Sequence, residues 1–329
     1  MNIRQALAQH PLREAVARFN PYKAASAGWK IFRFLLLFGL SFVILYPLLY
    51  MLSTAFRPIE EINDPSVIWI PKTFTLENFK QVIEMMDYGK TLPTSLVLNL
   101  SVSFVQMIAC MVTGYGFARF KFRFQKALFG LVLFTVLVPI QIISVPSYAY
   151  FLHFDFFGIG SLVGLFTGKA LTVNLLGSFL TFFLPAALGA GLKSGLFIYI
   201  FRQFFRGMPQ ELEDAASIDG CGIFRTFLRI MVPNTRTIMI TIFMLSLVWY
   251  WNDVSLGMSY LGGTRTVTIA LSNLKSAFFT FDQAAFNNPF LQITRLQAGS
   301  LLTVTPVLLL YLIVQRWFVQ GILRSGIVG

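Results

Sequence analysis

PQELEDAASIDGCGIFRTFLRIMVP, residues 209–233, is a polar, patterned stretch set between strongly apolar ones. Pro209 suits the first turn of a helix, where its missing N–H leaves nothing unsatisfied. Glu211, Glu213 and Asp214 then fall at the positive end of the helix dipole. Ala215 and Ala216 keep one face small enough for another backbone to approach. Gly220-Cys221-Gly222 interrupts this helix, and Ile223, Phe224, Phe227, Leu228 and Met231 recur at helical spacing behind it. Arg225 and Arg229, four apart, project from the other side, and Pro233 closes the second helix. The spacing predicts a short helix-turn-helix. An amphipathic connector lying on a membrane accounts for the second helix but poorly for the first, because an anionic leaflet repels three acids. Docking against a protein partner accounts for both.

Outward from this stretch, uncharged runs dominate. The chain has 329 residues, 56% hydrophobic and only 12% charged, with mean hydropathy +0.69. A soluble domain carries about 25% charged residues. Runs over 34–56, 91–118, 127–152, 237–252 and 296–315 contain no Lys, Arg, Asp or Glu. About 20 apolar residues suffice for a helix to cross the hydrocarbon core. The expected fold is all-α and polytopic. The first run is too long for a signal peptide and is followed by Arg57-Pro58 instead of a small-residue cleavage site.

The net charge of +12 is topological. Seventeen of the 26 basic residues lie in 1–33, 119–126, 202–236 and 316–324, and eight lie in 57–90, 265–295 and at Lys169. This asymmetry places both termini and the 119–126 and 202–236 loops in the cytoplasm. An even number of crossings must then separate those two loops, so the ambiguous region 161–202 supplies one or three; one is expected, at about 178–201 with Pro185 and Lys193 inside it. Six spans result, at about 34–56, 92–118, 127–150, 178–201, 237–258 and 296–316, with the polar loop at 203–236. Residues 1–33 form a cytoplasmic or interfacial arm before the six-span domain 34–329. Residues 156–177 are expected as an outer-face loop or an interfacial helix, with a re-entrant hairpin as the lesser alternative. Gly160, Gly164 and Gly168, like Gly191 and Gly195, have a spacing that allows close helix approach.

Several chemistries are absent from the sequence. Cys110 lies in a span and Cys221 in a cytoplasmic loop, neither with metal-ligand neighbours. Gly164-Leu165-Phe166-Thr167-Gly168-Lys169-Ala170 is one residue short of a phosphate loop and ends in Ala170 where Ser or Thr must reach magnesium. No Asp, Glu or His lies deep in a span, which argues against proton or sodium coupling. Asp253 and His153 sit at span boundaries, and Lys193 is the lone deep charge. No Ser/His/Asp set can be assembled, so no catalytic residues are expected. A passive channel remains compatible with the composition but leaves the acidic helix unexplained. Polar residues within spans are candidates for a solute path: Asn99, Gln106, Gln141 and Asn252, the last beside Tyr250 and Trp251. The alternative is hydrogen bonding between helices.

The polar loop resembles the cytoplasmic Glu-Ala-Ala loop of permease subunits from binding-protein-dependent ABC importers. Asp214-Ala215-Ala216, Gly220, Ile230 and Val232-Pro233 fall at that motif's spacings, with Asp for Glu and Val for Leu. The string Glu211 to Gly220 is similar to the carbohydrate, maltose-permease-like branch. Trp251-Asn252-Asp253 and the C-terminal Gln315-Arg316, Phe318 to Gly321, Gly326 and Gly329 resemble that branch too. The resemblance implies that Glu211, Glu213, Asp214, Ala215, Ala216, Ser217, Asp219 and Gly220 form a coupling helix seated in a cytoplasmic ATPase. It further implies a second permease subunit, two ATPase subunits holding ATP and magnesium, and an extracytoplasmic solute-binding protein. The setting would be a bacterial inner membrane, with lipid as the surrounding partner and no nucleic acid.

Overall fold

The computed structural model describes residues 21–327 except 63, 65, 68 and 264, with side chains described within 28–316. Residues 1–20, most of the expected N-terminal arm, and Gly329 lie outside the described residues. The secondary structure of the described residues is helical, apart from one isolated bridge between Phe154 and Val173, with turns and loops between the helices.

Among the described residues three helices are long and apolar enough to cross a membrane: α1 (Pro21–Ala55), α3 (Tyr88–Arg119) and the last helix, α16 (Pro289–Ile327). The short α2 (Glu77–Met85) precedes α3. The expected third span is instead two helices, α4 (Gln125–Leu137) and α5 (Ile140–Leu152), bent by 102°. The cause is local. Pro139 forces the preceding Val138 out of helical geometry, to φ −73°, ψ 119°, and breaks the ladder there.

The expected fourth span is also broken. After α6 (Ile159–Thr167), α7 (Leu180–Ala187) ends, a loop follows, and α8 (Ser194–Gly207) begins after Lys193 in the left-handed region at φ 59°. The polar loop holds α9 (Glu211–Ile218) and α10 (Ile223–Asn234), and α10 meets α11 (Arg236–Trp251) at 76°. The helix expected to run to 258 stops at Trp251. Asp253 accepts hydrogen bonds from Leu256 N (3.3 Å) and Gly257 N (3.0 Å), which starts α12 (Ser255–Tyr260) in a new direction. Three short helices, α13 (Val267–Ser272), α14 (Leu274–Phe281) and α15 (Gln283–Asn287), then lead to α16.

The bundle is organised on α3, which packs against α8, α11 and α7. At the α3–α8 crossing, Gly114 lets two backbones meet. A Cβ there would lie 2.6 Å from Phe201 Cβ and 3.1 Å from Arg202 N. Around the C-terminal half of α3, Met107, Met111, Tyr115, Phe197, Phe201, Phe205, Phe227 and Ile242 form one apolar cluster. A second cluster joins its N-terminal half to Phe151, Phe182, Tyr250 and Tyr260.

The 156–177 segment forms a hairpin. Gly160 and Gly164 of α6 face its return strand at Leu171 and Ala170, so their spacing serves an approach within one segment. The opposite face presents Leu162, Leu165 and Phe166, all exposed. Gly164 to Ala170 is thus helix end and hairpin, with Gly168 as the left-handed cap.

Candidate functional site

The acidic helix forms where the sequence places it. Glu211, Glu213 and Asp214 occupy the first turn of α9, and Gly220 leaves it at φ 76°, a conformation that glycine adopts without strain. Cys221 N returns to Ala216 O (2.9 Å), closing the end. Ala216 is buried, whereas Leu212, Asp214, Ala215, Ser217, Ile218 and Asp219 are exposed. Of the two alanines, one therefore packs on the chain itself and one is presented outward. Ile218 is 87% exposed, which makes it the most conspicuous apolar group on this helix.

Glu213 points inward. The Tyr115 hydroxyl donates to its Oε1 at 2.8 Å. Arg119 Nε lies 3.1 Å from its Oε2, with both side chains largely shielded. Arg119 also donates through Nη2 to Met208 O at 2.9 Å, so it links the end of α3 to the end of α8 and to α9. These contacts border a cleft of about 180 Å³ that Cys221 and Thr226 also line. The sequence does contain a signal for these partners. Arg119 is the charge that terminates the second apolar run, and Tyr115 lies one turn before it, on the side that meets an acidic helix.

The apolar stripe expected on the second helix divides. Phe227 and Met231 are buried; Ile223, Phe224 and Leu228 are exposed. A π-helical turn over Phe227–Met231 widens the helix and shifts the stripe's register.

The candidate path residues do not converge on one cavity. Gln106 and Tyr250 meet at the broken fourth span: Gln106 Nε2 donates to Leu192 O at 2.6 Å, and Leu192 N donates to the Tyr250 hydroxyl at 3.3 Å. A broken helix inside a bilayer must have its freed backbone groups satisfied by protein, and these two side chains do that. Gly191 is what lets them approach, since a Cβ there would lie 2.4 Å from the Tyr250 oxygen and 2.9 Å from Gln106 Oε1. Trp251 Nε1 donates to Thr303 O at 3.1 Å, tying α11 to α16. These three residues therefore bind helices together. Asn99 is buried in α3, while Gln141 and Asn252 are exposed, the latter donating to Val248 O in its own helix at 2.9 Å. Lys193 stacks its ammonium 4.9 Å from the centre of the Trp249 ring. A cation–π contact of this kind contributes about 0.5–2 kcal/mol and offsets part of the cost of the lone deep charge. Among the described residues no group of three His, Cys, Asp or Glu could hold a metal ion.

The family of binding-protein-dependent transport system inner membrane components matches residues 107–324. The chain belongs to that family. Among curated proteins it is similar to the arabinooligosaccharides transport system permease protein AraQ of Halalkalibacterium halodurans, at 26% identity over 88% of this chain and 93% of the relative. It is similar to the polygalacturonan/rhamnogalacturonan transport system permease protein YtcP of Bacillus subtilis, at 26% identity over 91% and 97%. It is also similar to the sn-glycerol-3-phosphate transport system permease protein UgpE of Pectobacterium atrosepticum, at 25% identity over 91% and 97%. A solved bacterial ABC transporter involved in the import of alginate shares the fold, with TM-score 0.64 at 17% identity over 89% of this chain and 98% of its own.

Proposed function

We propose that this chain is the transmembrane permease subunit of an ATP-driven ABC importer for a sugar or oligosaccharide, forming half of the translocation path. The carrying observation is α9: an acidic, small-faced helix held by one carboxylate to α3, with Asp214, Ala215, Ser217 and Ile218 free to enter a partner's groove. Two such chains, this one and a different permease, would pair in the bacterial inner membrane with both termini cytoplasmic. Two ATPase subunits would hold ATP and magnesium, and an extracytoplasmic binding protein would deliver solute. The six crossings would include the bent α4–α5 pair and the broken α7–α8 segment. Closure of the ATPases would displace α9, and the aromatic cluster behind it would carry that displacement into the spans as a rigid-body motion.

Solute class rests on relatives, several of which are named for oligosaccharides; a phosphorylated polyol is the second reading, since UgpE is named for one. Purifying the intact complex and screening its binding protein against both classes decides between them. Docking is tested by Ala215→Cys, which should crosslink to the ATPase subunit. Crosslinking to lipid-phase probes alone would sink the coupling assignment.

A further inference from the structure

Arg119 and Tyr115 belong to no motif of the polar loop, yet they hold its only inward-turned acid. We propose that they are positioning residues, a two-pronged latch on Glu213 that locks α9 to the cytoplasmic end of α3 and makes α3 the span that moves with it. This proposal rests on the coupling assignment above.

The geometry supports a latch over an incidental surface pair. Glu213 presents one oxygen to each partner, at 2.8 Å from the Tyr115 hydroxyl and 3.1 Å from Arg119 Nε. The Arg119 and Glu213 side chains are only 12% and 18% exposed, so solvent screens the pair weakly. Its guanidinium spends a further donor on Met208 O, fixing its plane. Tyr115 cannot swing away freely, because its ring packs against Phe205 and Phe227 at centroid distances of 5.2 and 4.7 Å. Both prongs occupy the last turns of α3, four residues apart and therefore on one face. Besides the chain connection through α8 and α10, this carboxylate is the polar tie from α9 to a span. Asp214, next in sequence, is exposed and offers no such tie.

The chain carries its own reporter. Cys221 lines the cleft beside Glu213 and is partly accessible, whereas Cys110 is fully buried. A thiol reagent applied to the assembled importer therefore reads this cleft.

The test uses the complete complex with its binding protein and ATPases, comparing Glu213→Gln, Arg119→Met and the exchange Arg119→Glu with Glu213→Arg. In an Ala215→Cys background, both single variants should still crosslink to the ATPase. Solute moved per ATP hydrolysed should fall about ten-fold, and Cys221 should be alkylated at the same rate with and without a non-hydrolysed ATP analogue. The exchange should recover several-fold of the lost coupling, which a residue needed only for folding would not allow. Unchanged solute-to-ATP ratios in the single variants would overturn the latch, as would an exchange no better coupled than either single. Loss of the crosslink in the single variants alone would assign the pair to docking and also overturn it. Loss of the crosslink in the parent would instead remove the coupling assignment on which the latch rests.

Discussion

Two helices of almost equal apolarity lead opposite lives in this molecule. The most apolar window of α1 has mean hydropathy 2.3 and is 6% buried; that of α3 has 1.9 and is 44% buried. Hydropathy therefore identifies a helix that leaves water and says nothing about which surface receives it. The difference lies in the polar and small residues. On α3, Ser95, Asn99, Ser103 and Gln106 recur at three- and four-residue spacing, followed by Gly114, and all are buried. In a bilayer, where apolar residues gain nothing by leaving lipid, such residues are what draw helices together. Between positions 34 and 45, α1 offers only Gly39 and Ser41 among Phe, Leu, Val and Ile, and this stretch is exposed. It is held mainly at its C-terminal end, where Met51, Thr54 and Ala55 are buried and Asn78 Nδ2 donates to Ala55 O and Arg57 O, both at 3.0 Å, with Trp69 packed on Phe42 and Tyr46 earlier in the helix.

Breaking that contrast is easiest at Gly114. With Phe201 Cβ at 2.6 Å from any Cβ built there, and backbone atoms of Arg202 and Ile198 each at 3.1 Å, Gly114→Leu must push α3 and α8 apart. Overpacking by a few methylenes costs about 1–3 kcal/mol, and more when backbone rather than side chain has to yield. The expected outcome is loss of assembled protein from detergent-extracted membranes, read by size-exclusion chromatography. Gln106→Leu comes next. It strips Leu192 O of its donor at the helix break, at a cost of about 1–3 kcal/mol for a bare buried carbonyl. The cost is partly offset because Gln106 Oε1 already lacks a partner. The complex should assemble but melt several degrees lower, and normal melting would mean that the break is held by something else. Lys193→Met removes the contact with Trp249 and the deep charge together, so opposing effects of about 0.5–2 kcal/mol nearly cancel. Stability should change little, and any loss should be confined to transport.

How far the sequence carries follows the same division. The acidic helix was legible because Pro209, the first-turn acids and Gly220 each act within a few residues of themselves. Membrane class and the three long apolar helices are legible because length and charge decide them. Breaks were read less well. Pro139 and Pro185 stood in plain view, but their consequences depend on whether neighbours can satisfy the freed backbone, as Gln106 and Tyr250 do from 86 and 58 residues away. The solute-path candidates were chosen for being polar within spans; Gln106, Tyr250 and Trp251 spend that polarity on other helices. The charge that ends the second apolar run marks Arg119, with Tyr115 one turn before it, but nothing local shows that both would share Glu213 from 98 and 94 positions away.

The mildest perturbation falls on α1, away from the end where it is anchored. Ile44, in its middle, is 71% exposed, so Ile44→Ala removes contacts with surroundings and none with the chain. It should alter the stability of this subunit by under about 0.5 kcal/mol, whereas lost recovery of the whole complex would reveal another subunit on that face. The anchor itself responds to pH. The Thr73 hydroxyl, opposed in part by burial, and the backbone N–H groups of Lys72 and Thr73 (both 2.8 Å) hold the Glu61 carboxyl below its ordinary range. A carboxylate favoured in the folded state contributes stability that is complete above its unfolded value, about 4.3, and is lost as pH falls through the lower folded one. Hydrogen exchange at the Lys72 and Thr73 amides should therefore be slower in the parent than in Glu61→Gln above about pH 5, with the two converging in acid. A difference that persisted at low pH would mean that the carboxylate's charge is not what holds the loop around the end of α1.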